Sequence, residues 1–395
     1  MSRRVLVAGV GMVPFAKPSA AESYDVMGAG AVRAVLKDSG LAYDKIQQVY
    51  AGYVYGDSTS GQRVVYGLGM TGVPVINVNN NCASGSSALW LARQAVASGA
   101  VDCALAVGFE QMPAGALTRK WQDRPAPLTS FDEALRASYP VDDDLPLTPQ
   151  YFAAAGLEYM EKYGATAEVF AQVSVKARRH AANNPYAVFR DPITRDDVLG
   201  SPRIAGELTR LQCCPPTCGA AAAIVCSEDF ARAHGLRTDV GIAAQTLLSD
   251  TAGLFEKQSP MSLVGSDVTR AAAAEIYETA GVDPLDIKVV ELHDCFTVNE
   301  VLTYEGLGLC PEGGAEEFIW NGDNTYGGRV VTNPSGGLLS KGHPLGATGL
   351  AQTAEITWQL RGEAGPRQVD GVTLGLQHNV GLGTAGVVTL FEKVS

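Results

Sequence analysis

Three segments of this chain carry side chains suited to nucleophilic and proton-transfer chemistry. The first, NNNCASGSSALWLARQAV (79–96), sets Cys82 between three asparagines and a run of small residues leading into an apolar stretch. A thiol at the start of a buried helix lies near unpaired backbone N–H groups and the positive end of the helix dipole, and both favour the thiolate. Ala83, Ser84, Gly85 and Ser86 are small enough to let a large acyl substrate approach. The alternative is a cysteine that only fills a core gap. The second segment, VVELHDCFTVNE (289–300), runs an apolar strand into His293, Asp294 and Cys295. Two residues apart at a strand end, the imidazole and the thiol point to one side and can handle protons, unless both are simply core residues. The third, NPSGGLLSKGHPLGATGLAQ (333–352), places His343 before Pro344, beside rather than within a following helix. Near the C-terminus, QHNVGLG (377–383) offers Gly381 and Gly383, where backbone can come close to a ligand.

The elements that must position these residues repeat. AVRAVLKDSGLAYDKIQQV (31–49) superposes without a gap on AAAEIYETAGVDPLDIKVV (272–290), so that Gly40 meets Gly281, Ile46 meets Ile287 and Val49 meets Val290. Each copy reads as helix, glycine stop, short acidic loop and buried strand. CASGSSAL (82–89) falls on HPLGATGL (343–350) in the same order along the chain, which sets Cys82 opposite His343. Duplicated strand–helix units predict two similar α/β halves around a pseudo-two-fold axis, with ligands at the carboxyl ends of the strands. The boundaries expected are 1–112 with 210–238 for the N-terminal half, 239–395 for the C-terminal half, and 113–209 for an inserted, partly helical loop domain rich in charge and proline.

Composition narrows the setting. With 46% hydrophobic and 18% charged residues the chain has material for a large core. No apolar run is long enough to cross a bilayer, and MSRRVLVAGVGMVPF reads as a first buried strand, not a leader. Its GVGMVP lacks the third glycine of a dinucleotide turn, having Pro14 there. A net charge of −12 disfavours nucleic acid and anionic membranes as partners. Eight cysteines, several in apolar runs, fit a reducing cytoplasmic setting better than a disulfide scaffold. His293, Cys295 and His343 lack the spacing of a zinc site, so no metal is expected, and the CCPPTC run (Cys213, Cys214, Cys218) reads as structural.

NNNCASGSSAL, HDCF, GHPLGATG and QHNVGLG, with NNPYAVF and GAAAAIV in support, resemble in order and spacing the thiolase superfamily, in particular the thiolase domain of sterol carrier protein X and its bacterial relatives. The resemblance spans essentially the whole chain. It implies the five-layered αβαβα thiolase fold with an inserted loop domain, a homodimer or dimer of dimers, and an acyltransferase that cleaves 3-oxoacyl-CoA with coenzyme A as co-substrate and without a cofactor. By that resemblance Cys82 is the nucleophile, His343 its base, Cys295 the acid/base, and His293 a holder of the enolate oxygen. The backbone N–H groups of Cys82 and of a glycine near Gly381 form the other oxyanion hole. The carrier domain that follows in sterol carrier protein X is expected to be absent, the chain ending at Ser395. The HDCF and QHN sequences stand where common thiolases carry NEAF and CxG, which moves the acid/base cysteine between loops. Steroid side-chain retro-aldolases of the superfamily lack the nucleophile and are disfavoured by Cys82. Alternatives are biosynthetic condensation of two acetyl-CoA units and an inactive acyl-CoA- or lipid-binding protein of the same fold. Because coenzyme A is anionic, Lys176, Arg178 and Arg179, with Arg190 and RKWQDR (119–124), are candidate contacts for its phosphates. A solvated charged helix face explains the same residues.

Overall fold

The computed structural model describes residues 3–113 and 121–394. The first half contributes β1 (Val5–Met12), α1 (Tyr24–Ser39), β2 (Gln48–Gly52), β3 (Val75–Val78), α2 (Ser84–Ala97) and β4 (Cys103–Glu110). After β4 come helices α3 (Leu147–Tyr163) and α4 (Ala167–Ala181), and the chain re-enters the sheet as β5 (Gly219–Ser227). The second half follows as β6 (Val240–Leu248), α5 (Ser266–Ala280), β7 (Val289–Glu291), α6 (Thr297–Gly306), β8 (Val331–Thr332), α7 (Thr348–Arg361), β9 (Leu374–Gly381) and β10 (Ala385–Lys393).

The strand order, β8-β7-β9-β10-β6-β1-β5-β4-β2-β3, is one five-strand pattern used twice. In each half the second strand runs parallel to its two neighbours, and the fifth pairs antiparallel with the first and the fourth. The halves join at their first strands, where Leu6 lies opposite Gly241. The expected repeat is therefore present in three dimensions. Helices α1 and α5 both end on a left-handed glycine, Gly40 at φ 72° and Gly281 at φ 64°. A single 3-10 turn follows in each, Tyr43–Lys45 and Pro284–Asp286, before β2 and β7.

Helices α2 and α7 form the middle layer, and α1 and α5 cover the outer faces of the two five-strand halves of the sheet. This is the five-layered αβαβα arrangement. The middle helices touch through backbone: a Cβ on Gly85 would stand 2.5 Å from the Gly346 carbonyl oxygen, and one on Gly349 would overlap the Ser86 hydroxyl. β5 (GAAAAIVCS) is buried along its whole length, as a central strand covered on both faces must be. α4 packs on α6 and on the short helix Gly337–Ser340, which ties the segment after β4 to the second half's site loops. Among the described residues no helix is long and apolar enough to cross a membrane. All eight cysteines are free.

Candidate active site

Cys82 sits on the turn between β3 and α2. Asn81 adopts φ 52°, a left-handed conformation that asparagine tolerates better than most residues. Ser84 pins the turn: its hydroxyl accepts the Asn80 N–H at 2.9 Å and donates to the Asn81 carbonyl at 2.6 Å. Gly381, the last residue of β9, lies behind this turn. A Cβ there would overlap the Asn80 carbonyl oxygen and come within 3.2 Å of the Ala83 nitrogen. The expectation that Gly381 admits a ligand is therefore corrected, since what it admits is the backbone beside Cys82. The backbone donors at the sulfur are the N–H groups of Cys82 itself and of Leu382, one residue beyond Gly381.

The two histidines face this sulfur in opposite tautomers. Thr348, the first residue of α7, donates its hydroxyl to the Pro344 carbonyl at 3.0 Å, so it accepts from His343 Nδ1 at 2.7 Å. His343 then carries its proton on Nδ1, and its Nε2 is a buried lone pair with no hydrogen-bond partner. His293 is the reverse. The Asn379 amide Nδ2 donates to His293 Nδ1 at 2.8 Å, which leaves the proton on Nε2. The rings are nearly perpendicular, 86° apart with centroids at 5.1 Å, and one nitrogen of each lies within 4.8 Å of Cys82 Sγ and of the other. By atom type this trio is a soft-metal donor set, but the one lone pair of His293 is already taken by Asn379.

Cys295 follows β7, and its carbonyl accepts the Cys214 N–H at 2.8 Å. Cys82 is near enough to disfavour ionisation of Cys214 and Cys295, and Cys214 does the same to Cys295. Cys213 and Cys214 line one cavity together with Cys82 and Cys295, so CCPPTC belongs to the site as well as to the framework. Cys218 is structural: its sulfur accepts the Met112 N–H at 3.2 Å. Asp294 points the other way, accepting the Leu338 N–H at 2.7 Å and so anchoring the loop that leads to His343.

Enclosure decides the electrostatics. Burial, then the Glu110 carboxylate, pushes the Cys82 thiol up to about 12 against the opposing backbone N–H groups. The expected helix-start thiolate is thus absent at rest, because lost solvation outweighs the helix end. Burial and the Lys341 ammonium push His343 down to about 3. Burial and the neighbouring His343 and His378 hold His293 well below its ordinary value. Cys295 is raised by burial and by Cys214, Cys82 and Asp294. The resting site is neutral thiol against neutral imidazole. Glu110, at the end of β4, is raised to about 7 by burial, although it accepts N–H groups from Val54, Tyr55 and Gly346.

Cys82, His293, Cys295 and His343 all line one largely apolar cavity of about 540 Å³. Of the candidate phosphate contacts, Arg178 borders it, with its guanidinium 4.5 Å from the Phe189 ring centre. Lys176 does not. Its ammonium is buried, paired with Glu300 and hydrogen-bonded to Thr332 Oγ1 at 2.6 Å, so its assignment as a substrate contact is corrected. A charge run in a sequence does not tell which of its members points inward. Arg179 and Arg190 are exposed on the surface, outside the cavity lining. In RKWQDR, Arg119 and Lys120 lie outside the described residues, and Arg124 pairs with Asp123. Sequence reasoning missed Arg210 at the cavity and Glu110 beside it. It also missed Thr348, for which a hydroxyl five residues after His343 was the available signal, and Asn379, which stood within QHN.

Comparison with known proteins places the whole chain. The family model "Thiolase, N-terminal domain" matches residues 5–229, and "Thiolase C-terminal domain-like" matches residues 255–392. Sterol carrier protein 2 of Gallus gallus is 53% identical over 394 residues, covering 99% of this chain and 72% of its own. Among solved structures, the Ltp2-ChsH2(DUF35) aldolase superposes with a TM-score of 0.83 at 25% identity, over 99% of this chain and 98% of that one. Human mitochondrial 3-ketoacyl-CoA thiolase superposes with a TM-score of 0.75 at 17% identity, over 100% and 99%, and shares the fold. A twice-used five-strand pattern, a cysteine turn braced by a glycine from the opposite half, and both family models across nearly the whole length lead to one conclusion: the chain belongs to the thiolase family.

Proposed function

We propose that the protein is an acyl-CoA thiolase that cleaves 3-oxoacyl-CoA with coenzyme A through an acyl-enzyme on Cys82. The observation that carries this reading is the unpartnered, buried lone pair of His343 in a ring lying within reach of the Cys82 sulfur. The Cys82 proton passes to His343 Nε2 as sulfur attacks the 3-oxo carbon. The C2–C3 bond breaks, and its electron pair goes to the enolate of the departing acetyl-CoA. Cys295 gives C2 its proton, then takes the thiol proton of incoming coenzyme A, whose sulfur displaces the acyl group from Cys82. Cys82 recovers its proton from His343. His293 Nε2–H stabilises the enolate oxygen, and the N–H groups of Cys82 and Leu382 stabilise the oxyanion at the attacked carbon. The raised thiol of Cys295 suits an acid that must hold its proton at neutral pH.

The apolar cavity receives the acyl chain, and Arg178 and Arg210 at its border meet the phosphates of coenzyme A. Eight free cysteines favour a reducing, cytoplasmic setting. A homodimer is supported by β3, an outer strand of the sheet with Ile76 exposed and Met70 78% exposed nearby.

The likeness to an aldolase favours one second reading, carbon–carbon cleavage with no covalent acyl step. Intact mass after mixing with a 3-oxoacyl-CoA, without free coenzyme A, separates the two. An adduct on the wild type that is absent from Cys82→Ala, and is discharged by coenzyme A, is expected. Cleavage without any adduct would establish the aldolase-like reading.

A further inference from the structure

The tautomer of His293 is set by a chain of side chains rooted in a backbone carbonyl. The His378 carbonyl accepts Gln352 Nε2–H at 3.0 Å, which fixes the orientation of that amide. Gln352 Oε1 therefore faces Gln377 Nε2, which it accepts at 3.0 Å. The Gln377 amide nitrogen, so oriented, also donates to Ser86 Oγ at 2.7 Å. The Ser86 hydroxyl keeps its own proton for Asn379 Oδ1 at 2.8 Å. With its oxygen committed to Ser86, Asn379 turns its Nδ2–H toward His293 Nδ1 at 2.8 Å. Every link is buried and every link has one direction. Gly349 makes the middle of the chain possible, because a Cβ there would overlap Ser86 Oγ and stand 2.9 Å from Asn379 Oδ1. The path crosses between the halves, from β9 and α7 to Ser86 on α2 and back.

We infer that Gln352, Gln377, Ser86 and Asn379 are positioning residues that hold His293 in its Nε2–H form, so that it meets the substrate as a hydrogen-bond donor while Thr348 holds His343 as the acceptor. The catalytic half of this inference rests on the thiolase reading; the tautomer half does not. Without the relay His293 is free to take either tautomer, and a proton on its wrong nitrogen leaves a lone pair facing a developing oxyanion.

Long-range nitrogen–proton correlation spectra of protein labelled with ¹⁵N-histidine read the tautomer directly, and the five histidines are assigned by single substitutions. His293 in the wild type is expected in the Nε2–H pattern. Asn379→Asp replaces the donor with a carboxylate that accepts from Nδ1, so the signal is expected to change to Nδ1–H or imidazolium. Its kcat should fall roughly 100- to 1000-fold, as for loss of one oxyanion donor, with KM within about threefold. Ser86→Ala, which frees the Asn379 amide without adding charge, should give a mixture of tautomers and a smaller loss of kcat. An Nδ1–H pattern for His293 in the folded wild type would overturn the relay whatever the variants do. So would an unchanged Nε2–H pattern in Asn379→Asp. A changed tautomer with unchanged kcat would overturn its catalytic part. Failure of the wild type to form an acyl adduct would count against the thiolase reading alone and leave the tautomer result standing.

Discussion

Glu110 and Gly381 close equivalent strands, β4 and β9, and each braces a candidate-site turn of the other half. Glu110 takes the Gly346 N–H at 3.1 Å, just beyond His343, while Gly381 presses its bare Cα side against the Asn80 carbonyl, just before Cys82. The Cys82 turn is thus held from the second half and the His343 turn from the first.

Gly381→Ala should displace the Cys82 turn, because a methyl group there meets the Asn80 carbonyl and the Ala83 nitrogen, backbone atoms that cannot swing away. Overpacking of this kind costs about 1–3 kcal/mol. A shift of about 1 Å at a reacting atom costs on the order of 100-fold in rate. Acyl-enzyme formation and thermal midpoint measured together check this, and wild-type acylation would refute the bracing role.

Glu110→Gln should change how stability varies with pH. The folded carboxyl, raised to about 7 from an ordinary 4.5, contributes in full below about pH 4.5, and that contribution is lost as pH rises through 7. The loss amounts to about 3 kcal/mol. Denaturation midpoints at pH 4.5 and pH 8 should therefore show the wild type losing ground to Glu110→Gln by an amount of that order. The buried histidines act in the opposite sense in both proteins and cancel in the difference.

Cys82 should alkylate slowly. A thiol pushed up to about 12, beside an imidazole pushed down to about 3, holds no thiolate–imidazolium pair at rest. Iodoacetamide at pH 7 should react with Cys82 at least about tenfold more slowly than with free cysteine. Faster reaction, followed by mass spectrometry, would show a preformed ion pair.

Lys176 and Arg178, two residues apart in the sequence, should fail in different ways. Lys176→Met strands Glu300 as a buried charge and should cost about 3–5 kcal/mol of stability. Arg178→Ala, at the cavity border, should leave the thermal midpoint nearly unchanged and raise KM for acyl-CoA about tenfold. The reverse pattern in melting and kinetic measurements would contradict both assignments.

What the sequence revealed follows from the range of the interactions. The helix, left-handed glycine, turn and strand at 31–49 and 272–290 are local and were legible in both copies, as was the pairing of Cys82 with His343. Glu110, Ser86 and Asn379 were not, because their partners lie across the molecule, 236 residues away for Glu110 with Gly346 and 293 for Ser86 with Asn379. The protonation of Cys82 is hard to read in a sequence for another reason. The helix end is visible in a sequence, but the depth of the cavity that removes water from the sulfur is not. Lys176 shows the same limit, since charge is written in the chain and burial is not.

The contact of Gly85 with Gly346 places the two helix starts against each other on the pseudo-two-fold axis. Were the halves two identical chains, whatever side chain preceded one of these helices would precede both, and the axis would set thiol against thiol or imidazole against imidazole. Joining them in one polypeptide frees each copy to change alone. A cysteine can then face a histidine across an almost symmetric frame, and a reaction that needs two unlike partners acquires them from one inherited shape.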